Sequence, residues 1–136
     1  MFLDASVIVA ILLREQEVAA IEDAVTEADR LQTSPLAVFE AASRLVSVKR
    51  IDFVSARDEV VSLLDRIRAD IIELGLAQMS VAHVCAARYH HLTGHSARLN
   101  MGDCFAYAAA LTSGLKLAYK GNDFVHTDID GIRFGA

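Results

Sequence analysis

MFLDASVIVAILL, residues 1–13, begins with a short apolar segment, is interrupted by Asp4 and the small residues Ala5 and Ser6, and continues with apolar residues that favour a helix. This order predicts a buried strand, a sharp turn and a helix. In a parallel α/β sheet the carboxyl ends of the strands open onto the crevice where ligands bind. We therefore expect Asp4 to lie at a ligand site, although its side chain could instead cap the helix that follows.

The rest of the chain alternates predicted strands with predicted helices. Helices are predicted over 15–28, 36–48, from 52 or 55 to 67, over 79–93 and over 102–114, and strands over 31–33, 71–74 and 115–119, with a short tail around 132–134. This alternation predicts an α/β fold of three layers, with a central, mainly parallel sheet of four to five strands and helices on both faces. The length of 136 residues and the apolar fraction of 54% favour a single domain over 1–136.

Composition narrows the functional classes. The 18 acidic and 13 basic residues give a net charge of −5, which argues against a passive nucleic-acid-binding module. No apolar run reaches the roughly 18 residues of a membrane span, and the first residues lack the basic leader of a secretory signal, so we expect a cytoplasmic protein with no membrane partner. Cys85 and Cys104 are far apart in sequence and are expected to be buried, reduced thiols.

Polar side chains, most of them acidic, recur at four comparable points of the predicted pattern. They are Asp4 after the first strand, Glu40 on the helix after the second, Asp103 in the first turn of a late helix, and Asn122–Asp123 after the fourth strand. Each has an ordinary structural explanation. Glu40 could pair with Arg44 on an exposed helix face, the dipole of a helix favours an acid such as Asp103 in its first turn, and an Asn-Asp pair is common in turns.

Together these acids indicate a metal site. Carboxylates that converge in one crevice repel each other, and burying them is costly unless a cation joins them. Hard oxygen ligands select Mg²⁺, with Mn²⁺ as a substitute. Such a metal neutralises a phosphate and activates a water molecule, and both effects promote hydrolysis of a phosphodiester.

Four stretches of the chain surround these polar positions, namely LDASVIVAIL (3–12), SPLAVFEAASRL (34–45), ARLNMGDCFAYAAAL (97–111) and YKGNDFVHTDI (119–129). They resemble the successive motifs of the PIN-domain ribonucleases, and more narrowly of the VapC toxins of bacterial type II toxin–antitoxin modules. The resemblance covers the whole chain, and its most specific element is LNMGDCFAY. It implies a PIN-like fold and a Mg²⁺-dependent endoribonuclease that cleaves structured cellular RNA, such as tRNA or rRNA, and so stops translation. It also implies a homodimer restrained by a cognate VapB antitoxin.

The resemblance also implies roles for individual residues. Asp4 and Asp103 correspond to direct metal ligands, and Glu40 to a carboxylate that holds the metal or orients the water. Many relatives carry an aspartate where this chain has Asn122, and Asp123 is the next residue. Either Asn122 or Asp123 could therefore complete the catalytic set. Ser6 could support Asp4 or simply cap the first helix. The candidates for RNA binding are basic residues near these motifs, namely Arg14, Arg98 and Lys120, together with Arg44 and Lys116.

Two other functions are compatible with the sequence. A protein of the same fold with a degenerate metal site would bind RNA or act as a scaffold without cleaving it. A metal-dependent phosphohydrolase acting on a small molecule could also use an aspartate after its first strand. Haloacid-dehalogenase-like enzymes, however, have a second aspartate two residues later, where this chain has Ser6.

Overall fold

A parallel sheet of five short strands forms the centre of the computed structural model, which describes residues 1–135. The strands are β1 (Phe2–Leu3), β2 (Leu31–Thr33), β3 (Ala69–Ile71), β4 (Leu117–Lys120) and β5 (Gly131–Phe134), in the order β3-β2-β1-β4-β5. The two-residue strand β1 is central, with Phe2 opposite both Gln32 and Leu117. Because all neighbouring strands are parallel, the residues that follow them meet at one edge of the sheet.

Helices cover both faces of this sheet. Within residues 1–135 they are α1 (Ala5–Leu12), α2 (Val18–Glu27), α3 (Pro35–Lys49), α4 (Phe53–Ile67), α5 (Leu76–Tyr89) and α6 (Met101–Ser113), with a short 3₁₀ turn at His91–Thr93. Phe2 and Leu117 belong to the apolar core with α5 and α6, whereas Leu3 and Ala118 belong to the core with α1 to α4. This alternation along the strands separates two cores and confirms the predicted three-layer α/β architecture.

Local sequence signals begin and end several helices as predicted. Ser34 caps α3 by accepting a hydrogen bond from the backbone N–H of Ala37 at 3.1 Å, and Pro35 occupies the first helical position. Asp52 caps α4 in the same manner, and Gly114 ends α6 with a left-handed φ of 66°. No helix within residues 1–135 is long and apolar enough to cross a membrane.

Several predicted elements differ from the structure in their bounds, and β3, α5 and β5 differ most clearly. The third strand is Ala69–Ile71 rather than 71–74, because its register is set by pairing with β2, where Leu31 lies opposite Ala69. The helix predicted over 79–93 is α5, which begins earlier, where Gln78 accepts a hydrogen bond from the backbone of Gly75. The tail around 132–134 is a full strand, β5, paired with β4.

Candidate active site

Asp4 follows the central strand and is held by a relay of hydrogen bonds. It is the N-cap of α1, and its Oδ2 accepts hydrogen bonds from the backbone N–H of Ser6 at 3.1 Å and from Ser6 Oγ at 2.5 Å. Ser6 Oγ in turn accepts a hydrogen bond from the backbone N–H of Lys120 at 3.0 Å, at the end of β4. The capping and site explanations of Asp4 are therefore compatible, because the contacts that cap the helix also fix the carboxylate at the edge of the sheet.

Glu40 reaches the same edge from the middle of α3. Its carboxylate lies over the first turn of α6, where a Cβ added to Gly102 would be only 2.2 Å from Oε2. Gly102 therefore leaves the space that the Glu40 carboxylate fills. Among residues 1–135 no ion pair joins Glu40 to Arg44, so the explanation of Glu40 as half of an exposed helical pair does not describe this structure.

Asp103 is buried in the first turn of α6. Its Oδ2 accepts a hydrogen bond from the backbone N–H of Asn100 at 3.0 Å, and Asn100 Oδ1 accepts one from the backbone N–H of Asp103 at 2.9 Å. This reciprocal cap satisfies two backbone donors at the start of the helix. It uses one carboxylate oxygen of Asp103 and leaves Oδ1 without a hydrogen-bond partner in the described part of the chain.

The turn after β4 separates Asn122 from Asp123. Arg133, on β5, donates to the backbone oxygen of Gly121 at 2.8 Å and to Asn122 Oδ1. Asn122 is thus held by the neighbouring strand. Asp123 lies close enough to Asp4 and Asp103 for its charge to raise the pKa of both. The structure therefore brings Asp123, rather than Asn122, to the cluster of acids.

Burial and mutual repulsion raise the pKa of Asp4, Glu40 and Asp103. Desolvation, followed by the charges of Asp4 and Asp103, raises the pKa of Glu40 to about 7. Desolvation and the charges of Asp123 and Asp4 raise the pKa of Asp103 to about 7, against the hydrogen bond from Asn100 that lowers it. The pKa of Asp4 is also raised, chiefly by burial, although its contacts with Ser6 favour the ionised form. A cation bound beside these carboxyl groups would favour their ionised forms.

The chemistry of the cluster fits a divalent metal. No Lys or Arg within residues 1–135 forms an ion pair with Asp4, Glu40, Asp103 or Asp123. In the same part of the chain, no three Asp, Glu, His or Cys side chains are gathered into a ready-made metal cage. Mg²⁺ does not require such a cage, since it usually binds through one or two carboxylates and keeps several waters. The hard oxygen donors present here match that mode of binding.

The candidate RNA-binding cations divide into paired and unpaired groups. Arg14 forms an ion pair with Glu22 at 2.7 Å, and Lys120 is held between Glu15 and Glu17. Lys116 lies 3.9 Å from Asp130. Arg98 and Arg44 are exposed and have no acidic partner among residues 1–135. Only these last two candidates carry a charge that is free to meet a phosphate.

Asp128 anchors the segment that carries Asp123, a role that the sequence did not suggest. Its carboxylate accepts hydrogen bonds from Tyr107 at 2.8 Å and Arg88 at 3.1 Å, and its backbone N–H donates to Tyr89 at 3.2 Å. These contacts tie the segment to α5 and α6. The only sequence signal for Asp128 is its place at the end of the resembling motif YKGNDFVHTDI (119–129).

Comparisons with known proteins show the family and the fold of the chain. The family model described as PIN domain matches residues 1–130. A VapC ribonuclease of Rhizobium meliloti (strain 1021) is 42% identical, over 94% of this chain and 98% of the relative. Ribonuclease VapC28 of Mycobacterium tuberculosis is 34% identical, over 95% of each chain. The crystal structure of Mycobacterium tuberculosis VapC20, described as a sarcin-ricin loop cleaving toxin, has a TM-score of 0.72 at 13% identity and covers 96% of this chain and 97% of that one.

Proposed function

This chain belongs to the PIN-domain family and, within it, to the VapC ribonucleases, and we propose that it is a metal-dependent endoribonuclease toxin. The observation that carries this proposal is the cluster of Asp4, Glu40, Asp103 and Asp123 at the carboxyl edge of the sheet, where burial and mutual charge raise the pKa of three of these acids. Carboxylates in this arrangement act on an anionic polymer only when a cation offsets their charge.

Asp4 and Asp103 would hold Mg²⁺, or Mn²⁺ in its place. Both carboxylates are fixed by backbone-directed hydrogen bonds, so they can hold a cation without a large loss of side-chain freedom. When bound, Mg²⁺ supplies neutralisation of phosphate charge and a lowered pKa for an attacking water. The role of Ser6 is to orient Asp4, since it donates to the carboxylate while accepting from the end of β4.

Glu40 would act on the attacking water, and Asp123 would contribute a further carboxylate to the site. Glu40 projects from α3 onto the start of α6 without a hydrogen bond of its own in the described chain, so its oxygens are free to orient a water and accept its proton. Asp123 adds the fourth negative charge. Because Asn122 is bound by Arg133, we assign Asn122 to the structure of the turn and Asp123 to the site.

We further propose structured cellular RNA, such as tRNA or rRNA, as the substrate, and inhibition of translation in the cytoplasm as the result. A VapB antitoxin is the proposed restraint, and a homodimer the proposed assembly. The support for these proposals is the identity with VapC ribonucleases over nearly the whole chain. The unpaired Arg44 and Arg98 are consistent with an anionic polymer as substrate, in spite of the net charge of −5.

The test is cleavage of total cellular RNA by the purified protein without antitoxin, in Mg²⁺, Mn²⁺ or EDTA, with sequencing of the new RNA ends. We expect discrete cuts that require metal, are lost in Asp103→Asn and persist in the control Asp58→Asn, which alters an exposed acid on α4. Cuts that persist in EDTA or in Asp103→Asn would contradict the proposal. A folded protein that binds RNA without cutting it would favour a binding or scaffold role. Turnover of small phosphate monoesters alone would favour a phosphohydrolase.

A further inference from the structure

An open cleft adjoins the acidic cluster. It has a volume of about 570 Å³ between α3 and the start of α6, and Glu40 and Gly102 are among the residues that line it. We call it the α3 cleft and define it by these two residues together with Phe39, Arg44 and Met101. Because Glu40 belongs both to the cleft and to the cluster, whatever occupies the α3 cleft lies directly beside the reacting group.

Arg44 gives the α3 cleft a positive charge that nothing in the described chain neutralises. It is exposed and forms no ion pair or hydrogen bond with residues 1–135, unlike Arg14 and Lys120, whose charges are taken by glutamates. It follows Glu40 by one helical turn, which is about 6 Å along the helix axis. That spacing is on the scale of one nucleotide step in an extended strand.

The walls of the α3 cleft are apolar and accessible. Phe39 and Met101 are each 61% exposed, so both side chains are accessible to a ligand in the cleft. The Phe39 ring stacks on Phe53 with its centroid 5.6 Å away, so the ring is held in a defined orientation. An exposed, oriented aromatic ring beside an arginine is the combination that binds a base and its phosphate in single-stranded nucleic acid.

We propose that the α3 cleft binds the nucleotide next to the scissile phosphodiester, with the phosphate on Arg44 and the base against Phe39. This inference rests on the proposed function, since an endonuclease must hold the chain beyond the bond that it cuts. RNA is favoured over an apolar peptide because a free guanidinium lies within the cleft. An apolar peptide alone would leave that charge without a partner.

The experiment measures binding of a 5′-fluorescein-labelled 12-nucleotide single-stranded RNA by anisotropy, in the cleavage-deficient Asp103→Asn background, over a series of salt concentrations. Arg44→Ala should weaken binding and reduce the slope of log K against log salt by about 0.7, the value for one phosphate contact with a single strand. Arg44→Lys should keep the slope. The matched control is Arg66→Ala, which removes an exposed, unpaired arginine of the described chain at the opposite edge of the sheet, just before β3.

The aromatic wall is tested separately. Phe39→Ala should weaken binding about tenfold, because it removes the stacking of one base, and it should leave the salt slope unchanged, because stacking involves no phosphate charge. Phe39→Tyr should restore binding because it keeps the ring. Both side chains are exposed, so circular dichroism should show folded variants with melting temperatures near that of the parent.

Several outcomes would overturn the inference. An unchanged salt slope in Arg44→Ala, or an equal loss in Arg66→Ala, would show that Arg44 contacts no phosphate of its own. Variants of Arg44 and Phe39 that keep RNA binding but weaken the complex with the antitoxin would make the cleft a protein-docking surface. Metal-dependent cleavage by the wild type, measured in parallel, keeps failure of this inference distinct from failure of the proposed function.

Discussion

Replacement of Asp103 by asparagine should remove cleavage and at the same time stabilise the metal-free protein at alkaline pH. The Asp103 side chain is only 9% exposed, and burial together with the neighbouring acids raises its pKa to about 7. Asparagine has nearly the same shape and can still accept the hydrogen bond from the backbone of Asn100. The substitution therefore removes the charge while it keeps the helix cap.

The size of this stabilisation follows from the difference in the pKa of Asp103 between the folded and the unfolded protein. An unfolded aspartate ionises near pH 3.8, whereas Asp103 in the folded protein keeps its proton to about pH 7. Between these values the folded state binds more protons, so the stability of the wild type falls as pH rises through this window. Ionisation of Asp103 can therefore lower the free energy of unfolding by at most about 4 kcal/mol. We expect about 2 kcal/mol, because neighbouring side chains and water adjust when the carboxyl ionises.

Thermal unfolding in EDTA at pH 4 and pH 8 measures this difference. For a chain of 136 residues, 2 kcal/mol corresponds to about 7 °C in melting temperature. We expect Asp103→Asn to melt about 7 °C above the wild type at pH 8 and close to it at pH 4. Added Mg²⁺ should raise the melting temperature of the wild type more than that of the variant. A variant that melts below the wild type at pH 8 would refute the reasoning, since the carboxylate would then be a net stabilising cap.

Three further predictions test the geometry around the cluster. Gly102→Ala should displace the Glu40 carboxylate, because the added Cβ would lie 2.2 Å from its oxygen. We expect cleavage to fall at least tenfold with little change in melting temperature. Full activity would contradict the assigned position of Glu40. Asp123→Asn should weaken activation by Mg²⁺ in a titration of cleavage rate, whereas Asn122→Ala should affect it much less; the reverse order would exchange their roles. Tyr107→Phe removes a hydrogen bond of 2.8 Å and should lower the free energy of unfolding by about 1 kcal/mol in urea titrations, so an unchanged midpoint would argue against the anchor.

Much of the fold could be predicted because its signals are local. The order of strand, Asp4 and helix at the start of the chain, and the Ser34–Pro35 pair before α3, depend on residues that are adjacent in sequence. β5 could not be predicted in the same way. Its four residues become a strand by pairing along β4, with Ile132 opposite Ala118, and this pairing is invisible in so short a segment.

The residues of the candidate site could also be predicted only where their signals are local. Asp4 and Asp103 could be selected because each lies at the start of a helix, and Glu40 because it lies on the helix that follows the second strand. The choice between Asn122 and Asp123 could not be made, because it depends on Arg133, which binds Asn122 from eleven positions away in sequence. The role of Asp128 as an anchor depends on contacts with α5 and α6, which are still more distant in sequence. Residues brought together by the tertiary fold leave no periodic signal in the sequence.

The ordinary and the functional explanations of the acids are parts of one arrangement. Asp4 and Asp103 each lie at the N-terminus of a helix, where backbone N–H groups and the helix dipole favour negative charge. These interactions offset part of the repulsion within the cluster, so the site can form before a cation binds. Glu40 lies in the middle of α3 and has no such support. It also lines the α3 cleft, so a nucleotide bound there, as we propose, would lie beside a carboxylate that no helix N-terminus stabilises.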